Sequence, residues 1–184
     1  SDSEVIGVLD PSYNSTIFNN TFNLSGGTYG ISHESSFGGN ITGNNFTSSS
    51  STVAISLVSN VQNTTYITSN IVTTTGNNGG GIYIIGNAMV DSNNITVTGS
   101  GGYAIWYGDD SINSTIQNNN IIVNHWNASG FSTSYLGFFS YPTGNLILNN
   151  NMTALAGNSI TDLTNATDIS TLVYNNSFGE ISWG

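Results

Sequence analysis

No lysine and no arginine occur in this 184-residue chain, which has ten Asp or Glu residues, two histidines and a formal net charge of −10. Proteins that bind nucleic acid use cationic side chains to displace counterions from the phosphates, and this chain has no such side chains. Walker-type phosphate loops, arginine fingers and Schiff-base lysines are excluded by the same count. We therefore expect no nucleic-acid partner.

Cysteine is also absent, so the chain has no disulfide framework and no thiolate metal site. Long apolar runs are missing too, and residues 5–9 are typical of the short runs that occur. Such runs are far too short to cross a bilayer, and no signal peptide is visible. We expect no membrane insertion and no bound cofactor.

A six-residue pattern, apolar-x-x-Asn-x-apolar, recurs along the whole chain. Seven copies can be aligned, and they begin at Ile17, Ile41, Tyr66, Val90, Ile116, Ile147 and Val173. The steps between them are 24, 25, 24, 26, 31 and 26 residues. Repeats of this length in a chain rich in β-branched and aromatic residues indicate a β-solenoid. The predicted fold is an all-β, right-handed parallel β-helix of about seven coils with a period near 25 residues.

A second column of apolar residues supports a coil with more than one strand. It contains Ile31, Ile55, Ile82, Ile105 and Phe138, each preceded by Gly or Ala. Only the fifth coil is out of step, which predicts an insertion near residues 124–135. We interpret residues 1–184 as one domain, in which residues 1–12 form an N-terminal strand and residues 13–184 form the coils. That strand either caps its own first coil or is donated to a neighbouring subunit.

The fourth position of the repeat is predicted to form an inward, hydrogen-bonded asparagine ladder. Its members are Asn20, Asn44, Asn93, Asn119, Asn150 and Asn176, with Ser69 in the third copy. None of these asparagines belongs to a glycosylation sequon, because the residue two places on is the obligatory apolar one. The next position faces solvent in this interpretation.

The glycosylation motif Asn-x-Ser/Thr occurs 12 times, against about 8 expected by chance from the composition. The sites are Asn14, Asn19, Asn23, Asn40, Asn45, Asn63, Asn94, Asn113, Asn127, Asn151, Asn165 and Asn175. Three of them follow the ladder position directly, and Asn14, Asn63 and Asn113 are predicted to share a turn before a strand. We expect covalent N-glycans and an extracellular location at the cell surface.

Aromatic residues are predicted to form an exposed stripe on successive coils. Strand alternation points Tyr83, Trp106 and Phe139 outward. Asp109 and Asp110 follow Trp106 closely, and the insertion adds Trp126 and His125. Aromatic rings beside carboxylates suit a sugar ligand, so Trp106, Asp109, Asp110 and Trp126 are candidate sugar contacts. A solvated corner for the two aspartates and a simple cover for the stripe are the alternatives.

The acidic composition also bears on habitat. Ten carboxylates without a cation to pair with lose little when they are protonated, and protonation relieves self-repulsion. We expect stability to rise as the pH falls through the carboxylate range, as suits an acidophilic archaeon. A neutral extracellular medium is the alternative. His33 is predicted to face inward with a structural role.

The repeats resemble those of the right-handed parallel β-helix family typified by pectate lyase, over about residues 14–178. That family has an asparagine ladder along one turn, so the resemblance implies such a ladder here. Pectate lyases of the family use calcium-binding carboxylates with a basic residue, and its polygalacturonases use clustered Asp with Arg and Lys. This chain has neither Arg nor Lys to match. The resemblance therefore implies the fold without the activity, and we expect no enzyme.

Both ends of the predicted solenoid are apolar and strand-like. The residues expected to form assembly contacts are Val5, Ile6, Val8, Leu9, Ile181 and Trp183. An open strand edge that pairs head to tail with a second copy makes a fibre. The leading hypothesis is a glycosylated, pilus-like filament subunit that binds itself head to tail. A carbohydrate-binding or carbohydrate-degrading β-helix and a surface-layer or adhesin module are the alternatives.

Overall fold

The structure is a computed structural model that describes residues 7–9, 14–34, 38–58, 63–108, 112–124, 129–133, 144–155 and 172–181. These residues form 20 β-strands in three sheets, and every strand pair is parallel. Up to residue 155 the described strands pass through the three sheets in one fixed order, and the last two strands lie in the second and third sheets. The chain is therefore an all-β parallel β-solenoid, and the predicted fold class is confirmed. No helix occurs in the described residues, and hence none that could cross a membrane.

Sheet A contains β1 (Gly7–Leu9), β4 (Tyr29–Glu34), β7 (Val53–Val58), β10 (Gly80–Ile85), β13 (Tyr103–Tyr107) and β16 (Ser129–Thr133). Sheet B contains β2 (Ser15–Phe18), β5 (Gly39–Thr42), β8 (Thr65–Thr68), β11 (Ala88–Asp91), β14 (Thr115–Gln117), β17 (Leu146–Leu148) and β19 (Leu172–Tyr174). Sheet C contains β3 (Thr21–Leu24), β6 (Asn45–Ser48), β9 (Ile71–Thr74), β12 (Asn94–Val97), β15 (Asn120–Val123), β18 (Asn151–Leu155) and β20 (Ser177–Ile181).

The coils repeat with a nearly constant length. Successive partners in sheet B lie 24, 26, 23, 26, 31 and 26 residues apart. The first four coils, from β2 to β13, are complete and regular. The regular part of the solenoid is therefore shorter than the seven uniform coils expected, although sheets B and C each contain seven strands.

Inward-facing apolar side chains stack into three columns, one per sheet. Their fully buried members include Ile41, Ile67, Val90, Ile116 and Ile147 in sheet B, Phe46, Val72, Ile95, Ile121 and Met152 in sheet C, and Ile31, Ile55, Ile82 and Ile105 in sheet A. Burial of each such side chain contributes about 1.5–3 kcal/mol. The three columns together form one continuous apolar core along the solenoid, in which isoleucine and valine predominate.

The third repeat lies one residue later than the sequence alignment placed it. Ile41 pairs with Ile67 and not with Tyr66. Ile67 is fully buried, whereas Tyr66 is 46% exposed. The alignment chose Tyr66 because Tyr66 and Ile71 match the two apolar ends of the pattern, although Ser69 stands where the pattern has Asn. The true register puts Asn70, and not Ser69, in the ladder column.

The sheet A strand of the fifth coil also differs from the expectation. The strand is β16, where Phe131 pairs with Ile105, so Phe138 is not its partner. This strand lies inside the insertion predicted near residues 124–135. The extra residues of the long coil instead fall between Thr133 and Asn145, because the sheet A step is still regular.

The N-terminal strand β1 pairs with β4 of its own chain. Val8 lies opposite His33, and Leu9 lies opposite Glu34. Within one chain this strand therefore occupies the edge of sheet A, as the cap interpretation expects. Val5, Ile6 and Trp183, the other predicted assembly residues apart from Ile181, lie outside the described residues.

The turn between sheets B and C contains two residues, and its first residue is left-handed in every coil. These residues are Asn19, Gly43, Ser69, Ser92, Asn118, Asn149 and Asn175, with φ between 54° and 64°. Asn and Gly adopt this conformation at least cost, which explains their use there. Each is followed directly by the ladder asparagine, so the tight turn aims that amide into the coil.

Candidate functional site

Seven asparagines, one per coil, form a continuous hydrogen-bonded ladder. In chain order they are Asn20, Asn44, Asn70, Asn93, Asn119, Asn150 and Asn176. At every step the Oδ1 of the later asparagine accepts two hydrogen bonds from the earlier one, from its backbone N–H and from its Nδ2, at 2.9–3.1 Å. Sequence reasoning missed Asn70 because of the register error in the third repeat.

The ladder amides also donate to backbone carbonyls of their own coil and of the coil before it. The Nδ2 of Asn93 donates to Ile67 O at 2.8 Å and to Asp91 O at 3.2 Å. The side chain of Asn93 is 1% exposed. A buried amide with all its groups bonded is stabilising, whereas the same amide with partners missing is costly. The ladder therefore fixes the register in which successive coils stack.

The ladder is directional and its two ends are chemically different. Among the described residues, the Oδ1 of Asn20 accepts no hydrogen bond, because its column has no earlier coil. Within the same part of the chain, the backbone N–H of Asn176 has no acceptor, although its Nδ2 donates to Ile147 O and Tyr174 O. One end of the ladder thus offers an acceptor and the other end offers a donor.

Large apolar side chains are exposed at both ends of sheet B. Phe18 on β2 is 61% exposed and Tyr174 on β19 is 51% exposed. Ile17 on β2 is only partly buried, whereas the next residue in its column, Ile41, is 1% exposed. The end strands therefore leave apolar surface uncovered where an inner coil would be covered by its neighbour.

The ten sequon asparagines within the described residues are all exposed. They are Asn14, Asn19, Asn23, Asn40, Asn45, Asn63, Asn94, Asn113, Asn151 and Asn175, while Asn127 and Asn165 lie outside the described residues. Asn14 and Asn113 share the position before a sheet B strand. Asn63 lies one residue earlier than that position, because Gly39 pairs with Thr65. The predicted equivalence of Asn14, Asn63 and Asn113 is therefore wrong.

A second asparagine row runs on the outer surface beside the ladder. Asn120 donates to Asn94 Oδ1 at 3.0 Å, and Asn151 donates to Asn120 Oδ1 at 3.0 Å. Asn94 and Asn151 are sequon residues. A glycosylated amide keeps one N–H, so a sugar on Asn151 is compatible with its bond to Asn120.

Two residues of the predicted aromatic stripe, Tyr83 and Trp106, are half-buried and form a cluster with the buried Tyr103. The rings of Tyr83 and Trp106 meet edge to face with centroids 5.5 Å apart, and Tyr103 packs on Trp106 at 4.8 Å. Burial raises the pKa of Tyr103 far above its ordinary value, and the nearby Tyr29 and Tyr83 act in the same direction. The sequence analysis did not include Tyr103 in the stripe. The ring of Tyr103 packs over Gly80, so a glycine at that position was the signal that could have identified it.

The other candidate sugar contacts, Asp109, Asp110 and Trp126, stay predictions. Residue 132, and not Phe139, follows Trp106 in the column. Asp109, Asp110, His125, Trp126 and Phe139 all lie outside the described residues. The Nε1 of Trp106 is buried and has no hydrogen-bond partner within the described part of the chain. The cluster therefore offers an aromatic surface, while its indole N–H is buried.

His33 lies inside the first coil and is 1% exposed. Its Nε2 is 3.4 Å from Gly38 O, and its Nδ1 has no partner among the described residues. Burial lowers the pKa of His33, an effect that the contact with Gly38 partly offsets. The side chain therefore faces inward as a neutral group.

No group of three or more His, Cys, Asp or Glu side chains that could hold a metal ion occurs in the described ranges. In comparisons with known proteins, no family model, no curated protein and no solved structure matched this chain. The geometry of the ladder and of the sheet ends therefore carries the functional argument.

Proposed function

We propose that this protein is a structural subunit of an extracellular, glycosylated filament that assembles head to tail. The observation that carries the proposal is that sheets B and C have open edges at both ends of the described solenoid, β2 and β3 at one end and β19 and β20 at the other. Unpaired strand edges are a template for another chain. A contact between the two different ends does not close on itself, so it propagates into a fibre.

The surface composition supports the extracellular part of the proposal. Ten exposed sequon asparagines give many attachment points for glycans. A chain without Lys or Arg has no site for trypsin-like proteases, which suits an exposed fibre. We place the solenoid with the right-handed pectate-lyase-like β-helices and propose a non-enzymatic role on the surface of an acidophilic archaeon.

Electron microscopy of the protein isolated from its source without denaturation tests the proposal. The expected result is fibres whose purified subunit carries N-glycans by mass spectrometry. Dispersed single particles over a wide range of protein concentration would contradict the filament. Fibres without glycan would contradict only the glycoprotein part.

A carbohydrate-binding role is the second candidate, and the Tyr83, Trp106 and Tyr103 cluster favours it. Aromatic faces are suited to contacts with sugar rings. The test is binding to an array of polysaccharides, with Trp106→Ala compared with Tyr66→Ala, which removes an exposed aromatic elsewhere. Loss of binding in the Trp106 variant alone would support this role, and no binding by the wild-type protein would exclude it.

A further inference from the structure

Resting on the proposed filament, we infer that the joint between two copies is one more coil step of the same solenoid. In this joint β19 of one copy pairs in parallel with β2 of the next copy, and β20 pairs with β3. Tyr174 lies opposite Phe18, and Asn176 lies beside Asn20. The partner is therefore a second copy of this chain, held in one defined register.

The hydrogen-bonding groups at the two ends are complementary in this register. Each inner ladder asparagine donates its backbone N–H to the Oδ1 of the next asparagine, as Asn150 does to Asn176 at 2.9 Å. The joint lets the N–H of Asn176 donate to the free Oδ1 of Asn20 in the next copy. The ladder then runs through the joint without a break.

A second bond between coils extends the same match. The residue that follows a ladder asparagine donates its backbone N–H to the backbone carbonyl of the ladder asparagine one coil earlier. Ser177, which follows Asn176, donates in this way to Asn150 O at 2.8 Å. Thr21 holds this position in the first coil. In the joint its N–H donates to Asn176 O of the preceding copy. Because both bonds need the same register, a slip by one residue would lose both.

The exposed aromatic residues at the ends belong to one column of sheet B. The column runs Phe18, Thr42, Thr68, Asp91, Gln117, Leu148 and Tyr174. Of its five middle residues, four are polar and one, Leu148, is apolar, and only the two terminal residues are aromatic and more than half exposed. Stacking in the same register puts the two rings on each other, and cross-strand aromatic pairs stabilise sheets. It also covers Ile17.

The order of strands is compatible with this joint. The first described strand, β1, lies in sheet A, and the last, β20, lies in sheet C. A following copy therefore resumes the A, B, C order. Its β1 lies at the level of β19 and β20, where the described residues contain no sheet A strand.

Site-directed cross-linking tests the register, and the chain has no native cysteine to interfere. Phe18→Cys and Tyr174→Cys are combined in one chain, and the assembled protein is treated with a short thiol-reactive cross-linker. Directly opposed residues have Cβ atoms about 5 Å apart, within reach of such a reagent. We expect a ladder of covalent multimers on a denaturing gel. The control chain combines Phe18→Cys with Tyr66→Cys, which places the second thiol on an exposed mid-solenoid position and should give none.

Charge substitutions provide an independent readout. Phe18→Asp buries an unpaired carboxylate in the joint and should raise the protein concentration needed for assembly about tenfold or more. Tyr174→Lys in the same chain should restore assembly, because the two charges face each other across the joint. Tyr66→Asp should have little effect, and circular dichroism checks that each variant folds.

The outcomes separate this inference from the filament itself. The joint is supported if covalent multimers form only with Phe18→Cys and Tyr174→Cys and if Tyr174→Lys restores the assembly of Phe18→Asp. Fibres by electron microscopy without multimers, or without an effect of Phe18→Asp, overturn the joint and leave the filament. Absence of fibres in the wild-type protein overturns both.

Discussion

Asn93 illustrates how one side chain joins three coils. Its Oδ1 accepts from Asn70, and its Nδ2 donates to Ile67 O and to Asn119 Oδ1. A leucine has the same branched shape but no polar atom, so it would remove every one of these bonds. Several buried groups would then have no partner, which costs about 1–3 kcal/mol for each.

We therefore expect Asn93→Leu to lower the free energy of unfolding by about 3 kcal/mol or more, since several partners are lost at once. The measurement is denaturant unfolding followed by circular dichroism. Asn124→Leu is the control, because Asn124 is exposed and lies outside any sequon. Equal midpoints for the two variants would mean that the ladder contributes nothing to stability.

His33 makes the stability depend on pH in the direction opposite to the carboxylates. Burial lowers its pKa below 6.5, so the unfolded chain binds the proton more readily than the folded chain. Stability from this residue is complete above the unfolded pKa and falls as the pH drops through the range between the two pKa values. His33 thus offsets part of the acid stabilisation expected from composition.

The variant His33→Leu should remove this loss of stability, because leucine carries no titratable group. Leucine fits this column, since Leu57 lies opposite His33 in the sheet and is fully buried. Melting temperatures measured between pH 7 and pH 4 should fall less, or rise more, for the variant than for the wild-type protein. Parallel pH profiles of the two proteins would show that His33 does not titrate on unfolding.

The corners of the coils depend on close backbone stacking, and Gly99 is the clearest case. A Cβ on Gly99 would overlap the carbonyl oxygen of Gly76 in the coil before it, whereas a Cβ on Gly26 would meet nothing within 4 Å. The contact is with backbone, so no side-chain rotation can relieve it. Gly99→Ala must displace one coil relative to the next.

We expect Gly99→Ala to destabilise the fold by about 2 kcal/mol or more, by overpacking, and Gly26→Ala to change it little. Thermal unfolding of the two variants side by side is the measurement. A Gly99→Ala protein as stable as Gly26→Ala would contradict the described stacking of this corner.

The strands and their sheets follow from the sequence wherever the repeat is unambiguous. The Val90 and Ile116 repeats each have an Asn at the fourth place, Asn93 and Asn119, and the structure pairs the two repeats as aligned. At Tyr66-Ile67 two adjacent apolar residues can open the repeat, but only Ile67 has an Asn, Asn70, at the fourth place, so the Asn column was the signal for the correct register. Burial decides, because only Ile67 reaches the core column.

The fifth coil shows why an insertion is harder to place than a strand. Its length excess is visible in the sequence, but several Phe residues between 131 and 139 offer apolar partners for Ile105. The nearest one, Phe131, preserves the regular step. The donor and acceptor ends of the ladder were not predictable from the repeat, since they depend on hydrogen-bond direction.

The whole molecule has a net charge of −10 and no cation to offset it. Copies stacked head to tail therefore repel each other, and salt screens this repulsion. The Debye length falls from about 30 Å at 0.01 M to about 8 Å at 0.15 M ionic strength. At 0.15 M the Debye length is much shorter than a seven-coil subunit, which is roughly 34 Å long at about 4.8 Å per coil.

Assembly should thus require a lower protein concentration at 0.15 M salt than at 0.01 M salt. Sedimentation of the polymer at a series of concentrations measures this threshold. An unchanged or higher threshold at 0.15 M salt would show that charge repulsion between copies does not oppose the joint.

The central claim is that stacked coils run continuously along a fibre, and helical reconstruction by cryo-electron microscopy tests it most directly. The account predicts that strands lie across the fibre axis, spaced about 4.8 Å apart, with a subunit rise of roughly 34 Å. It also predicts unbroken sheets B and C at the joint. Subunits that meet side by side, with their solenoid axes across the fibre, would contradict it.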